Sequence, residues 1–316
     1  MVRRKRTRKT DLRGRDFLSV LDFTESEIWD MLRIAKKMKA HPERFRTRLR
    51  SKHLAMIFEK PSLRTRVTFE VGMRELGGDA IYLARSDINL GNRESVYDVA
   101  KNLERMVDGI MIRTFNHHTC VDLAEFASVP VINGLTDLEH PCQALSDFFT
   151  IWETKQNMRA VKIGFVGDGN NVAHSLLLGA ARLGLRLTVA SPREYQPKKD
   201  VVESALQEAG QSGAVLEVTD DAGRAVRDAD FVYTDVWASM GQEGEAEERH
   251  KVFRPYQVNA ALFSLAKPDA CFMHCLPARR GVEVTDDVID SPNAIVFRQA
   301  ENRLHVQKAI LALVMR

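Results

Sequence analysis

The chain has 316 residues, 44% of them hydrophobic and 28% charged, an ordinary globular composition for about two domains. Its 46 Lys and Arg nearly balance 43 Asp and Glu, but eight of those cations and only one acid fall in residues 1–15, so the body is mildly acidic behind a basic tail. No apolar run approaches the roughly 20 residues of a membrane helix, and residues 1–10 hold no apolar stretch suited to a secretory signal, so the expectation is a cytoplasmic protein with no membrane partner.

Residues 1–15 are expected to be a disordered, solvated extension. A nucleic-acid arm is the other reading, but the acidic body offers no basic surface to cooperate with it, so no nucleic-acid partner is expected. The four cysteines Cys120, Cys142, Cys271 and Cys275 contain no Cys-x-x-Cys pair. They read as reduced thiols, with neither a disulfide framework nor a metal site, and no cofactor is expected.

In chain order, Thr24-Glu25-Ser26-Glu27 is a capping box that opens a helix, with Ile28, Met31, Leu32, Ala35 and Met38 on its apolar face. Short β-branched runs then alternate with helical stretches: 53–58, 80–83, 109–113, 130–133, 162–167, 187–190, 215–218, 231–234, 271–274 and 295–297. Such alternation predicts parallel sheets built from βαβ units. Ten strands divide near residue 150 into about four and about six. The expected fold is therefore α/β, with two doubly wound parallel-sheet domains at 16–150 and 151–300. A helix from about Pro141 to Thr154 would join them, and a C-terminal helix over 301–316 would return to the first.

Open parallel sheets bind ligands beyond the carboxyl ends of their strands, so the residues after each run carry the interest. After the first run comes Glu59-Lys60-Pro61-Ser62-Leu63-Arg64-Thr65-Arg66, which reads either as a solvated helix cap or as an anion site at a helix N-terminus. Arg113 ends the third run. His140-Pro141-Cys142-Gln143 follows the fourth; His140 is either a helix cap or, with Gln143, a donor to one carbonyl oxygen. Gly167-Asp168-Gly169-Asn170-Asn171 begins like a dinucleotide fingerprint, but Val172 stands where its third glycine belongs, which favours a polar turn for a small zwitterion over a dehydrogenase. Asp235 is placed to hold an ammonium group. Cys275 is a nucleophile, a proton acceptor or a packing residue.

Taken together, Phe58-Glu59-Lys60-x-Ser62-x-Arg64-Thr65-Arg66, His140-Pro141-x-Gln143, Gly167-Asp168-Gly169-Asn170-Asn171, Asp235-x-Trp237-x-Ser239-Met240-Gly241-Gln242-Glu243, His274-Cys275-Leu276-Pro277 and Glu301-Asn302-Arg303 resemble the carbamoyltransferase family, and within it the ornithine branch. The resemblance spans residue 15 to the C-terminus. It implies transfer of a carbamoyl group from carbamoyl phosphate to the δ-amine of L-ornithine, in arginine synthesis or breakdown; the rival substrate is an acylated ornithine or putrescine.

The resemblance places carbamoyl phosphate on Ser62, Leu63, Arg64, Thr65, Asn89, Arg113, His140, Pro141, Cys142, Gln143, Cys275, Leu276 and Arg303. It places ornithine on Asn171, Asp235, Ser239 and Met240, and implies a homotrimer or a multiple of it with active sites near subunit interfaces. Leu63 stands where the family commonly has Thr, and Asn89 lies on a loop that in the family reaches the neighbouring subunit with Gln or His. Arg64, Arg113, His140 and Gln143 are then expected to stabilise developing negative charge, and Cys275 paired with Asp235 to accept the proton that the attacking amine must lose. An amine of pKa about 10.4 is neutral in roughly one molecule in 2,500 at pH 7.

Overall fold

The computed structural model describes residues 11–238 and 243–315. Strands β1 (His53–Phe58), β2 (Asp79–Ala84), β3 (Gly109–Arg113) and β4 (Val131–Leu135) form one sheet in the order β2-β1-β3-β4. Strands β5 (Lys162–Val166), β6 (Arg186–Ala190), β7 (Val215–Thr219), β8 (Phe231–Thr234) and β9 (Cys271–His274) form a second in the order β7-β6-β5-β8-β9. Every pairing is parallel, and helices flank both sheets, so the expected doubly wound α/β architecture is present. The central strands are buried on both faces, which is why they read as continuous apolar runs.

Among the described residues the division is four strands and five, not four and six. The run 295–297 is not a strand: Ile295 donates its N–H to Phe272 O at 3.0 Å, brushing the edge of β9, and the helix Val296–Val314 begins at the next residue. Three apolar residues carry no period that separates strand from helix. This helix starts five residues before the expected Glu301 and packs against the helices Glu25–Ala40, Leu63–Glu75 and Pro141–Lys155. The Thr24 cap forms as read: Thr24 Oγ1 accepts from Glu27 N–H at 3.3 Å while Glu27 Oε2 accepts from Thr24 N–H at 2.9 Å. The apolar face from Ile28 to Met38 is buried.

Residues 11–15 depart from the expected tail. Leu12 is buried, Gly14 donates to Val314 O at 2.7 Å, and Arg15 pairs with Glu27 at 2.8 Å, because Leu12 supplies apolar area and Arg15 finds an acid on the first helix. Residues 1–10 lie outside the described residues.

Strand order positions the site. In the first sheet the chain steps from β1 outward to β2 and then returns to place β3 on the other side of β1. In the second it winds from β5 to β7 and returns to place β8 beside β5. A crevice opens at each reversal, at the carboxyl ends of β1 and β3 and of β5 and β8. Ser62–Arg64 and Arg113 stand at the first, Asn170–Asn171 and Asp235 at the second. A register shift between Ile112 and Arg113 against β4 re-aims the strand at this point.

Candidate active site

A cavity of about 200 Å³ lies between the two sets of strand ends. Its first wall is cationic. Pro61 ends the strand-to-helix turn, Ser62 caps the helix Leu63–Glu75 by accepting from Thr65 N–H at 3.3 Å, and Arg64 then faces the cavity one residue inside the helix. Arg113 comes from the end of β3 and Arg303 from the C-terminal helix, where its Nη2 donates to Thr65 Oγ1 at 2.9 Å. Among the described residues none of these three guanidinium groups has a carboxylate partner, and Arg113 Nε and Arg303 Nε are buried with no hydrogen bond. Burial, then repulsion from Arg303 and Arg64, pulls Arg113 down to about 9, and burial lowers Arg64 and Arg303 as well. Three uncompensated cations in one crevice cost free energy that an anion would return.

His140 is buried and enclosed by the same three arginines, so burial and then that field hold its pKa well below 6.5 and keep the imidazole neutral. Its backbone N–H donates to Ser175 Oγ at 2.8 Å, tying the β4 turn to the helix Asn171–Leu183, while Nδ1 has no partner. Gln143 differs from expectation. Its amide Nε2 donates to Asp147 Oδ1 at 2.9 Å and its Oε1 is left buried and unpartnered, so the atom without a partner is an acceptor rather than a donor. Gln299 Nε2 donates to the same Asp147 oxygen at 2.7 Å, and burial raises Asp147 to about 7.

The opposite wall is acidic and amide-rich. Asn170 caps the helix Asn171–Leu183 through Val172 N–H at 2.9 Å, and its Nδ2 donates to Asp235 Oδ2 at 2.8 Å. Asn171 donates across the crevice to Thr136 O. Gly167 adopts φ 145°, and a Cβ on Gly169 would lie 2.2 Å from Pro197 N, so both glycines serve the turn that delivers these amides. Cys275 Sγ donates to Asp235 Oδ1 at 2.9 Å. Burial and then Asp235 raise the thiol well above its ordinary pKa, so in this hydrogen bond Cys275 is the donor and Asp235 the acceptor. Leu276 follows at φ 58°, with its N–H donating to His274 Nδ1 at 2.8 Å, and His274 Nε2 meets Glu283 at 3.2 Å.

Ser62, Arg64, Arg113, His140, Gln143, Asn171, Asp235, Cys275, Leu276 and Arg303 thus line one cavity. Thr65 is buried behind it as a brace for Ser62 and Arg303. Pro141 opens its helix and Cys142 donates to Asn133 O at 3.3 Å, both away from the cavity. Leu63 is 73% exposed, and Asn89 sits in a left-handed turn with its amide oxygen bonded to Asn92; neither lines the cavity. Ser239 and Met240 lie outside the described residues. Sequence reasoning missed Lys60, Leu135, Val172, Val236 and Arg279 on the lining, and Asp147 and Gln299 behind it. Lys60 stood in the quoted motif; Asp147 and Gln299 carry no local signal, because their meeting spans 152 residues.

Asp235, His274 and Cys275 form a group whose donor atoms lie within 4.8 Å of one another. Both nitrogens of His274 are already engaged, so a metal there would have to break the Leu276 turn or the Glu283 contact.

Residues 15–153 match the carbamoyl-phosphate-binding domain model of aspartate/ornithine carbamoyltransferases, and residues 159–314 match the Asp/Orn-binding domain model of the same enzymes. The chain belongs to the aspartate/ornithine carbamoyltransferase family. Among its relatives in that family, the anabolic ornithine carbamoyltransferase of Pyrococcus furiosus is 56% identical over 309 residues, covering 96% of this chain and 97% of the relative. The ornithine carbamoyltransferase of Bacillus subtilis is 52% identical over 307 residues, covering 97% and 96%. The solved Pyrococcus furiosus structure superposes with TM-score 0.94 over 97% of this chain and 98% of that one. An acetylornithine transcarbamylase complexed with acetylcitrulline gives TM-score 0.86 over 96% and 100% at 32% identity. The chain is therefore a carbamoyltransferase.

Proposed function

We propose that this carbamoyltransferase moves the carbamoyl group of carbamoyl phosphate to the δ-amine of L-ornithine, giving L-citrulline and phosphate. The observation that carries the reading is the cavity's polarity: three guanidinium groups without carboxylate partners among the described residues on one wall, and an Asp235 carboxylate with two asparagine amides on the other. Residues 16–150 would hold carbamoyl phosphate, 151–300 ornithine, and 301–316 would return Arg303's helix to the first part.

Arg64, Arg113, Arg303 and Ser62 take the phosphate, and neutral His140 donates to the carbonyl oxygen as charge builds there. The unpartnered Gln143 Oε1 accepts from the carbamoyl –NH₂. Asp235 holds the ornithine α-ammonium together with Ser239, and Asn171 and the Met240 backbone hold the α-carboxylate. The neutral δ-amine attacks the carbonyl carbon, the C–O bond to phosphate breaks, and the amine proton ends on the leaving phosphate as HPO₄²⁻, so the chemistry balances without an added base. The cationic wall favours the neutral amine by the same repulsion that lowers Arg113.

The reading further includes the biosynthetic direction, supported by the designation of one relative, a cytoplasmic location, and a homotrimer or a multiple of it in which the 86–91 loop with Asn89 meets a neighbouring site. Light scattering at three times the chain mass, or a multiple, tests the assembly. The activity is tested by offering carbamoyl phosphate with L-ornithine, N-acetylornithine, putrescine or L-aspartate and measuring phosphate and ureido product. Equimolar citrulline and phosphate with ornithine alone is the expected result; product from another amine in preference overturns it.

A further inference from the structure

Lys60 is quoted in the arginine-turn motif but has no role in the reading above. It is buried, it lies directly before Pro61, and among the described residues its ammonium has no hydrogen bond and no ion pair; it sits 4.1 Å from the centre of the Phe115 ring. The ammonium is directed to cavity space rather than to a protein partner, so it is available to an anion that enters there. Burial and then repulsion from Arg113 lower its pKa, with the charges of Asp137 and Glu59 opposing.

Two anions reach this crevice, the phosphate and the ornithine α-carboxylate. Arg64, Arg113 and Arg303 line only the first cavity, whereas Lys60 lines both it and a second one. Lys60 therefore stands to one side of the phosphate wall. On that side a second cavity of about 460 Å³ adjoins the first, lined by Phe115, Asp137, Asp168 and Tyr195 among others. The two residues that line both cavities are Lys60, from the first sheet, and Asn171, from the second. Asn171 already reaches across the crevice to Thr136 O.

We propose that Lys60 and Asn171 form a clamp, one jaw from each sheet, on the α-carboxylate of the amino-acid substrate, so that Lys60 is a specificity residue for ornithine and not a phosphate ligand. The proposal rests on the ornithine reading above and adds a contact from the carbamoyl-phosphate side of the crevice. Amino-acid binding then draws the two halves together, and an amine without the carboxylate forfeits that contact. Lys60 would also sharpen the choice of ornithine over a diamine, because it adds a charged partner to the carboxylate contact that Asn171 makes.

The test is steady-state kinetics of wild type, Lys60→Met, Lys60→Arg, Asn171→Ala and the Lys60→Met/Asn171→Ala double variant, with thermal melting of each. Lys60→Met is expected to raise the KM for L-ornithine about 10- to 100-fold, the range of a charge-assisted hydrogen bond, and to move the KM for carbamoyl phosphate less than about threefold. Inhibition by L-norvaline, which keeps the α-carboxylate but lacks the δ-amine, should weaken by the same factor. Lys60→Arg should recover most of the loss. The double variant should lose less than the product of the single losses, because both jaws hold one group. A parallel rise in the carbamoyl-phosphate KM, or an ornithine KM within threefold of wild type in a variant that melts normally, overturns the clamp. If wild type makes no citrulline, it is the ornithine reading that fails.

Discussion

The two walls of the crevice solve opposite problems with opposite means. The arginine side, proposed to take carbamoyl phosphate, assembles buried cations with no counter-charge among the described residues, so Arg64, Arg113 and Arg303 are held under mutual repulsion. The side proposed to take ornithine satisfies itself beforehand: Asp235 already accepts from Asn170 and Cys275. A site that must seize a dianion is built unstable and poised, whereas a site that must choose among amines is built rigid, with its acceptor oriented by neighbouring donors. The difference teaches where binding energy comes from on each side, relief of repulsion on one and preorganised geometry on the other.

Mutations should break this contrast in a definite order. Arg113→Ala removes a cation from the poised side and is expected to lower kcat/KM about 10²- to 10³-fold while leaving the melting temperature unchanged or higher, since an unpaired buried charge is lost; a falling melting temperature would contradict the stored repulsion. Asp235→Asn should raise the ornithine KM about 10- to 100-fold and leave phosphate affinity near wild type, as inhibition constants would show. Gly169→Ala drives a Cβ into Pro197 N, and is expected to cost about 1–3 kcal/mol in denaturant unfolding. Little or no loss there would remove the close approach from the account.

A smaller effect separates the walls by pH. Asp147, behind Gln143, is raised by burial to about 7, so the folded state holds its proton where the unfolded chain would have released it. That contribution is complete below pH about 4 and is lost as pH rises through about 7. Asp147→Asn cannot ionise, so its melting temperature relative to wild type should climb between pH 5 and pH 8. A constant difference would show that Asp147 ionises freely.

The strands and their carboxyl-end residues were legible because each short apolar run is followed at once by chemistry: Phe58 by the Ser62–Arg64 turn, Thr234 by Asp235, His274 by Cys275. The run 295–297 misled because it is three residues long and lies against β9 before turning into a helix. Direction of hydrogen bonding was not legible. Whether Gln143 donates or accepts depends on Asp147 below it, and whether Cys275 is thiol or thiolate depends on burial and on Asp235, neither of which a motif records. Nor was Lys60, whose isolation appears only when Arg113, Phe115 and Asn171 are placed around it in three dimensions.

The division of labour between the walls is tested most directly by titrating inorganic phosphate into wild type, Arg113→Ala and Asp235→Asn by calorimetry. Wild type and Asp235→Asn should bind phosphate with affinities within about threefold, and Arg113→Ala should lose about tenfold or more. Equal losses in the two variants would mean that the crevice acts as one undivided site, and would contradict the account.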